Sequence, residues 1–218
     1  MLYLSGTYSQ ILPKYRSEFG YMLNVNQRIG YEQEAVRYPW MLDNGAFSDR
    51  WQEDVWLRRL EQLSVYTATC IAAVVPDVVA NHDATLERWH IYAPVVKELG
   101  YKAAFATQAG ATVDNIPWSE IDVLFVGDSE DRRRRYCWPL INEAKRRGLW
   151  VHVGRVNSAS AIWRYWRADS VDGTIFTYRN MSTQRWQENI IWTVKHCNAR
   201  KCQQRTLFAL DSWAQPTP

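Results

Sequence analysis

Short apolar runs return along the whole chain, and most of the gaps between them carry helical spacing. The runs are Leu2 to Leu4, Trp40 to Leu42, Cys70 to Val75, Lys102 to Thr107, Val123 to Val126, Trp150 to Val153 and Gly173 to Phe176. Helical patterns begin at Glu53, His82, Arg134, Ser158 and Arg185. A strand followed by a helix, many times over, implies a parallel sheet whose strands are covered on both faces. Seven strands are legible. The stretch from Thr7 to Pro39 has no clear pattern and has room for one more. Eight strands would close a (β/α)8 barrel, and 218 residues is near the lower size for one. An open doubly wound sheet is the rival. The expected organisation is one domain over residues 1–205 and a loosely ordered tail over 206–218.

The bulk properties narrow the class only a little. Hydrophobic residues make up 47% and charged residues 22%, ordinary for a globular chain. A formal charge of +3 permits a nucleic-acid partner without requiring one. The first residues lack the basic stretch and long apolar run of a signal peptide, and no apolar run has membrane-spanning length. The expectation is a soluble, intracellular protein. Cys70, Cys137, Cys197 and Cys202 form no C-x-x-C pair. His196, Cys197 and Cys202 fall short of the four ligands of a structural zinc site. Neither a metal nor a cofactor is expected.

The informative positions are the ends of the runs. Asp43, Asp77, Gln108, Gly127 with Asp128, and Gly154 with Arg155 each follow a run, and Asp172 stands just before the run at Gly173. In a parallel α/β fold all strand C-termini share one face, and ligands bind there. Any one such acid can be a helix N-cap, and Asp128 reads as one, with a catalytic acid as its alternative. Five or six together point to a site. The sequence lacks a G-x-S-x-G elbow and an H-E-x-x-H helix, which counts against a hydrolase using the same acids.

These residues fall in segments that resemble the queuine/7-deazaguanine tRNA-ribosyltransferases, the tRNA-guanine transglycosylases. "LDNGAFS" at Leu42 resembles their "DSGGFQ" segment, and "FATQAGAT" at Phe105 their "GIQQG". "VLFVGD" resembles their glycine-bearing strand end, and "VHVGRVNSASAIWRYWRADSVDGT" their "MGVGKPDD…FDC" segment, whose last acid is the nucleophile. The likeness runs from Trp40 to Arg179. It implies a (β/α)8 barrel and an enzyme that exchanges guanine in a polynucleotide for a 7-deazaguanine. On that resemblance Asp172 is the nucleophile, with Asp169 as its rival, and Asp43 is the acid that handles the base proton. Asp77 would bind the Watson–Crick edge. Gln108 and the Gly127 N–H would meet O6, and Phe47 and His152 would stack the ring. Asn44 and Gly110 join the substrate-binding residues.

Two departures matter. Asn44 and Ala46 stand where the family has Ser and Gly, and the family's C-x-C-x-x-C…H zinc subdomain is missing. A compact, zinc-less version resembles the phage-type enzymes that place 7-deazaguanines, such as 7-cyano-7-deazaguanine, in DNA. The implied partner is therefore DNA, with tRNA as the runner-up, in the cytoplasm of the cell that makes the protein. A non-catalytic nucleobase-binding barrel is the other alternative. Oligomeric state is open, a homodimer included. Arg132 and Arg133, in "EDRRRR", and Arg155 and Arg179 are the candidate phosphate contacts. A charged helix start explains the first pair equally well. The tryptophans Trp163, Trp166, Trp186 and Trp192 recur at helical spacing and read as core.

Overall fold

The computed structural model describes residues 1–6, 12–25, 32–48, 51–177 and 181–213. Eight parallel strands close into a barrel in sequence order, β1 through β8. They are β1 (Leu2–Ser5), β2 (Phe19–Asn24), β3 (Trp40–Asp43), β4 (Cys70–Val74), β5 (Ala103–Thr107), β6 (Val123–Val126), β7 (Trp150–Val153) and β8 (Ser170–Gly173). The fold is a (β/α)8 barrel. The patternless stretch from Thr7 to Pro39, open between a long loop and one more strand, holds β2.

The helices are α1 (Glu32–Ala35), α2 (Glu53–Leu63), α3 (His82–Glu98), α4 (Glu130–Arg146), α5 (Ala159–Arg164) and α6 (Met181–Trp213). Helix α3 begins where Asn81 accepts a hydrogen bond from the Ala84 N–H, which satisfies one of the free donors of its first turn. Helix α6 runs past Arg205, where a loose tail was expected to begin. No helix among the described residues is long and apolar enough to cross a membrane.

Two apolar layers divide the residues of each strand. Leu4, Met22, Met41, Ala72, Val74, Ala104, Ala106 and Val123 fill the barrel interior. Their alternates, including Tyr3, Tyr21, Leu42, Ala73, Phe105 and Val151, face the helices. Strand side chains alternate with period two, so inward Met22 and Met41 put Asn24 and Asp43 inward at the strand ends. Gly20 is needed for closure: a Cβ there would stand 2.1 Å from the Pro39 carbonyl oxygen and 2.8 Å from Leu4.

Strand β8 corrects one expectation. The apolar run Gly173 to Phe176 is not the strand. The strand lies three residues earlier and carries Ser170 and Asp172. Ile175–Thr177 is instead a turn of 3-10 helix, with Phe176 packed edge-on against Tyr3 and Phe19. Asp172 thus sits within a barrel strand near its C-terminal end.

Candidate active site at the C-terminal mouth of the barrel

The strand ends enclose a cavity of about 530 Å³, its open mouth included. Asp43, Asn44, Asp77, Gln108, Gly127, Asp128 and Asp172 all line it, with Met22, Val74, Phe125 and Phe47 as apolar walls. The structure therefore brings together most of the residues expected from the sequence.

Asp172 accepts hydrogen bonds from His152 Nε2 and from the Arg155 backbone N–H, each 3.0 Å and both to Oδ1. Gly154 keeps this corner open, since a Cβ there would lie 3.4 Å from Asp172 Oδ1 and 3.0 Å from the Phe125 ring. Asp43, at the end of β3, accepts from Asn24 Nδ2 at 2.8 Å. Burial pushes the Asp43 carboxyl up to about 7, and the charges of Asp172 and Asp77 push the same way. Hydrogen bonds from the Gly45 backbone and Asn24 offset this in part. Two acids on one cavity thus occupy different environments.

Asp77 is braced from two sides. Asn44 Nδ2 donates to its Oδ1 at 2.7 Å, and Gln108 Nε2 donates to its Oδ2 at 2.6 Å. Burial still raises its carboxyl above the usual range. Asn44 also donates to the Val75 carbonyl and accepts from the Ala46 N–H, so it ties the β3 turn to the end of β4. Its place is a brace for Asp77. Gln108 Oε1 accepts from the Ala80 N–H at 2.9 Å, which fixes the amide and leaves one Nε2 hydrogen for an acceptor on a ligand. Gly127 is required by closeness: a Cβ would stand 2.8 Å from the Thr107 carbonyl oxygen and 3.0 Å from Gln108 Nε2.

Several expectations are corrected. His152 is fully buried and cannot stack on a ligand. Phe125 covers it, ring centroids 4.7 Å apart, and is the ring that faces the cavity from that side. Phe47 stands half-exposed at the mouth, with the Arg155 guanidinium 3.5 Å above its ring. Gly110 lies outside the cavity. It has a φ of 100°, its carbonyl accepts from Asn115, and it belongs to the turn after β5. Arg133 is only 1% exposed and cannot reach a phosphate. It holds Glu130, the Gly154 carbonyl and the Tyr165 hydroxyl, and so anchors the turn that carries Arg155. Burial alone would raise the Glu130 carboxyl; hydrogen bonds and charge from Arg133, with Arg134 and Tyr165, outweigh it and hold it below the usual range. Arg132 is half-exposed and pairs with Asp128 at 2.7 Å. Arg179 lies outside the described residues.

Asp169 stands at the opposite end of the barrel. Its carboxylate accepts from Lys145 Nζ at 2.6 Å and from the Val151 N–H at 2.8 Å. It is structural and out of reach of the cavity. Asp128 does not cap helix α4, whose N-cap is Ser129. It is held at a φ of 69°, its Oδ1 accepts from the Ser129 N–H and Arg132, and its Oδ2 is buried without a partner. Phe125, Met22 and Asn24 escaped the sequence reading; only the period-two alternation of their strands could have placed them inward. No group of three or more His, Cys, Asp or Glu residues suited to a metal ion is found among the described residues.

No known protein-family model matches the chain, and no curated protein matches it. Among solved structures it is similar to CdNal from Clostridium difficile, in complex with mannosamine. That likeness has 12% identity and a TM-score of 0.39, over 81% of this chain and 68% of the other. A likeness at that level transfers neither substrate nor residue roles.

Proposed function

We propose that the chain is a base-exchange transglycosylase that replaces guanine in DNA with a 7-deazaguanine through a covalent Asp172–sugar intermediate. The observation that carries this reading is a pair of unlike carboxyls on one cavity. Asp172 has both described hydrogen bonds on Oδ1, and Asp43 is raised to about 7. A base exchange needs these two roles: a carboxylate that attacks and a carboxyl that carries a proton near neutrality.

In the first half-reaction Asp172 Oδ2 bonds to C1′ of the deoxyribose. The C1′–N9 bond breaks, its electron pair leaves with guanine, and Asp43 gives the departing base its proton. In the second, Asp43 takes the N9 proton of the incoming base. N9 then bonds to C1′, and the Asp172 carboxylate is released. The sugar passes through oxocarbenium-like states in both steps, as in retaining glycoside hydrolysis. Asp77 accepts from the N1–H and amino group of the base. The free Nε2 hydrogen of Gln108 and the Gly127 N–H donate to O6. The target nucleotide has to leave a duplex to reach such a cavity. DNA stands ahead of tRNA because the segments resemble the compact, zinc-less form of the family.

The test supplies labelled guanine, and separately 7-cyano-7-deazaguanine, to the protein with DNA and with tRNA in parallel. Label in DNA and an Asp172-dependent adduct on a denaturing gel are expected. Label in tRNA alone would move the substrate. Free guanine without incorporation would make the protein a glycosidase. Tight base binding without turnover would make it a binding barrel.

A further inference from the structure

The mechanism above leaves a buried polar chain without a task. It runs up the inside of the barrel beneath Asp172. Trp150 Nε1 donates to Ser170 Oγ at 2.9 Å, Ser170 Oγ meets His152 Nδ1 at 2.8 Å, and His152 Nε2 meets Asp172 Oδ1 at 3.0 Å. His152 and Ser170 are both fully buried. Around the rest of the interior the same layer holds alanine, valine, leucine and methionine. Buried polar groups in such a place cost stability unless each one is satisfied.

The donor inventory gives the chain a direction. An indole N–H only donates, so Ser170 Oγ accepts from Trp150. The Asp172 carboxylate, an acceptor, takes the hydrogen of His152 Nε2, so Nδ1 of a neutral imidazole accepts and the Ser170 proton goes there. Every member is satisfied with a neutral imidazole in one tautomer. Phe125 closes the far side of the ring and brings no charge.

We propose that His152 is the positioning residue of the nucleophile, and that Ser170 and Trp150 act through it by fixing its ring and tautomer. With the Arg155 N–H it clamps Oδ1, so that Oδ2 is presented to the sugar, and its hydrogen bond stabilises the carboxylate when Asp172 is released. This rests on Asp172 being the nucleophile.

The test measures single-turnover adduct formation with guanine-containing DNA for His152→Leu, His152→Gln, Ser170→Ala and the double variant, alongside Asp172→Ala. Glutamine can keep a donor near the Nε2 position and leucine cannot. His152→Leu lowers the adduct rate by about 10²-fold, the size expected when a reacting group is no longer held in its attacking position, with KM for DNA changed by less than about threefold. His152→Gln recovers most of that loss. Ser170→Ala slows the parent by roughly tenfold but has almost no effect in the His152→Gln background, since groups that act in series do not add. A Ser170→Ala cost that is equal in both backgrounds would overturn the proposal, as would a parental rate in His152→Leu. Should the leucine variant not fold, the glutamine cycle decides alone. An adduct that survives Asp172→Ala overturns the nucleophile, and this proposal with it. An adduct lost in Asp172→Ala but untouched in His152→Leu overturns this proposal only. Imidazole nitrogen NMR of the unliganded protein gives a readout free of activity. His152 protonated on Nε2 alone at neutral pH is expected, and a proton on Nδ1 instead rules the chain out.

Discussion

Acids stand at both ends of this barrel, and the two ends treat them in opposite ways. At the N-terminal end Asp169 takes an ammonium group and a backbone N–H, and Asp122 takes the Ala103 N–H at 2.8 Å. Each is tied to a strand it helps to start. At the C-terminal end Asp43, Asp77, Asp128 and Asp172 share one cavity, and among the described residues the Arg or Lys ion pair there is Arg132 on Asp128, with the His152 imidazole on Asp172. The rest of the support comes from amides and backbone groups. Acids paired with cations stabilise the barrel. Acids crowded together with neutral donors hold charge and protons in a form that chemistry can use. Asp169 and Asp172 are three residues apart, and that odd spacing together with the length of β8 puts them on different faces and at different ends.

The sharpest way to break this contrast is to exchange the fates of those two. Asp172→Asn should abolish the covalent adduct and lower exchange by at least about 10³-fold while the melting temperature stays near the parent's. Asp169→Asn should keep exchange per folded molecule and lose roughly 1–2 kcal/mol, about 2–8 °C in melting temperature. The opposite pattern would invert the assignment of the two ends.

Asp43 tests whether crowding does the work. Asp43→Asn should lower exchange by about 10²–10³-fold. Its folded pKa is raised to about 7, from an ordinary 3.8, so the protonated form favours the fold. Its contribution to stability is present below pH 4 and is lost as the pH rises through about 7. Denaturation followed from pH 4 to pH 8 should therefore show a smaller loss in Asp43→Asn than in the parent. In Asp172→Asn the Asp43 titration, followed by carboxyl NMR, should move down because a neighbouring charge has gone. A titration that does not move would separate the two acids.

Arg133 probes the scaffold of the cavity end. Arg133→Met takes the Arg133 donor from the buried Gly154 carbonyl, at about 1–3 kcal/mol for an unsatisfied buried group, while Glu130 keeps Arg134, Arg164 and Tyr165. Exchange should fall with stability, and the fall should follow the turn that carries Arg155. A variant that stays stable but binds DNA less tightly would restore the phosphate role. The smallest expected effect is at Gly110. Gly110→Ala meets a φ of 100° and the His82 side chain at 3.3 Å, so it should cost about 1 kcal/mol and leave the KM for the base unchanged. A raised KM would return Gly110 to the site.

Much of this was legible beforehand, for a definite reason. Strands β6 and β7 fall where the apolar runs predict them, because both of their faces are buried. Strand β8 was misplaced because its inward positions are Ser170 and Asp172, so the segment does not look apolar. The nearby Ile175 and Phe176 do look apolar, but they pack outside the barrel. The four consecutive arginines were opaque for another reason. Helix phase alone separates Arg133, 1% exposed, from Arg132 and Arg134, whose side chains are about half-exposed.

The sequence by itself determined the alternation of strand and helix, and with it the common rim where Asp43, Asp77, Gln108, Gly127 and Asp172 meet. Periodicity and chain direction are local properties, and they suffice for that. Only the tertiary structure decided what each polar group does once there. Asn44 braces Asp77, His152 lies behind Phe125 with its Nε2 on Asp172, and Arg133 is spent on a turn. Those roles depend on which donor lies within 3 Å of which acceptor, and closure of the barrel sets that distance between residues far apart in the chain.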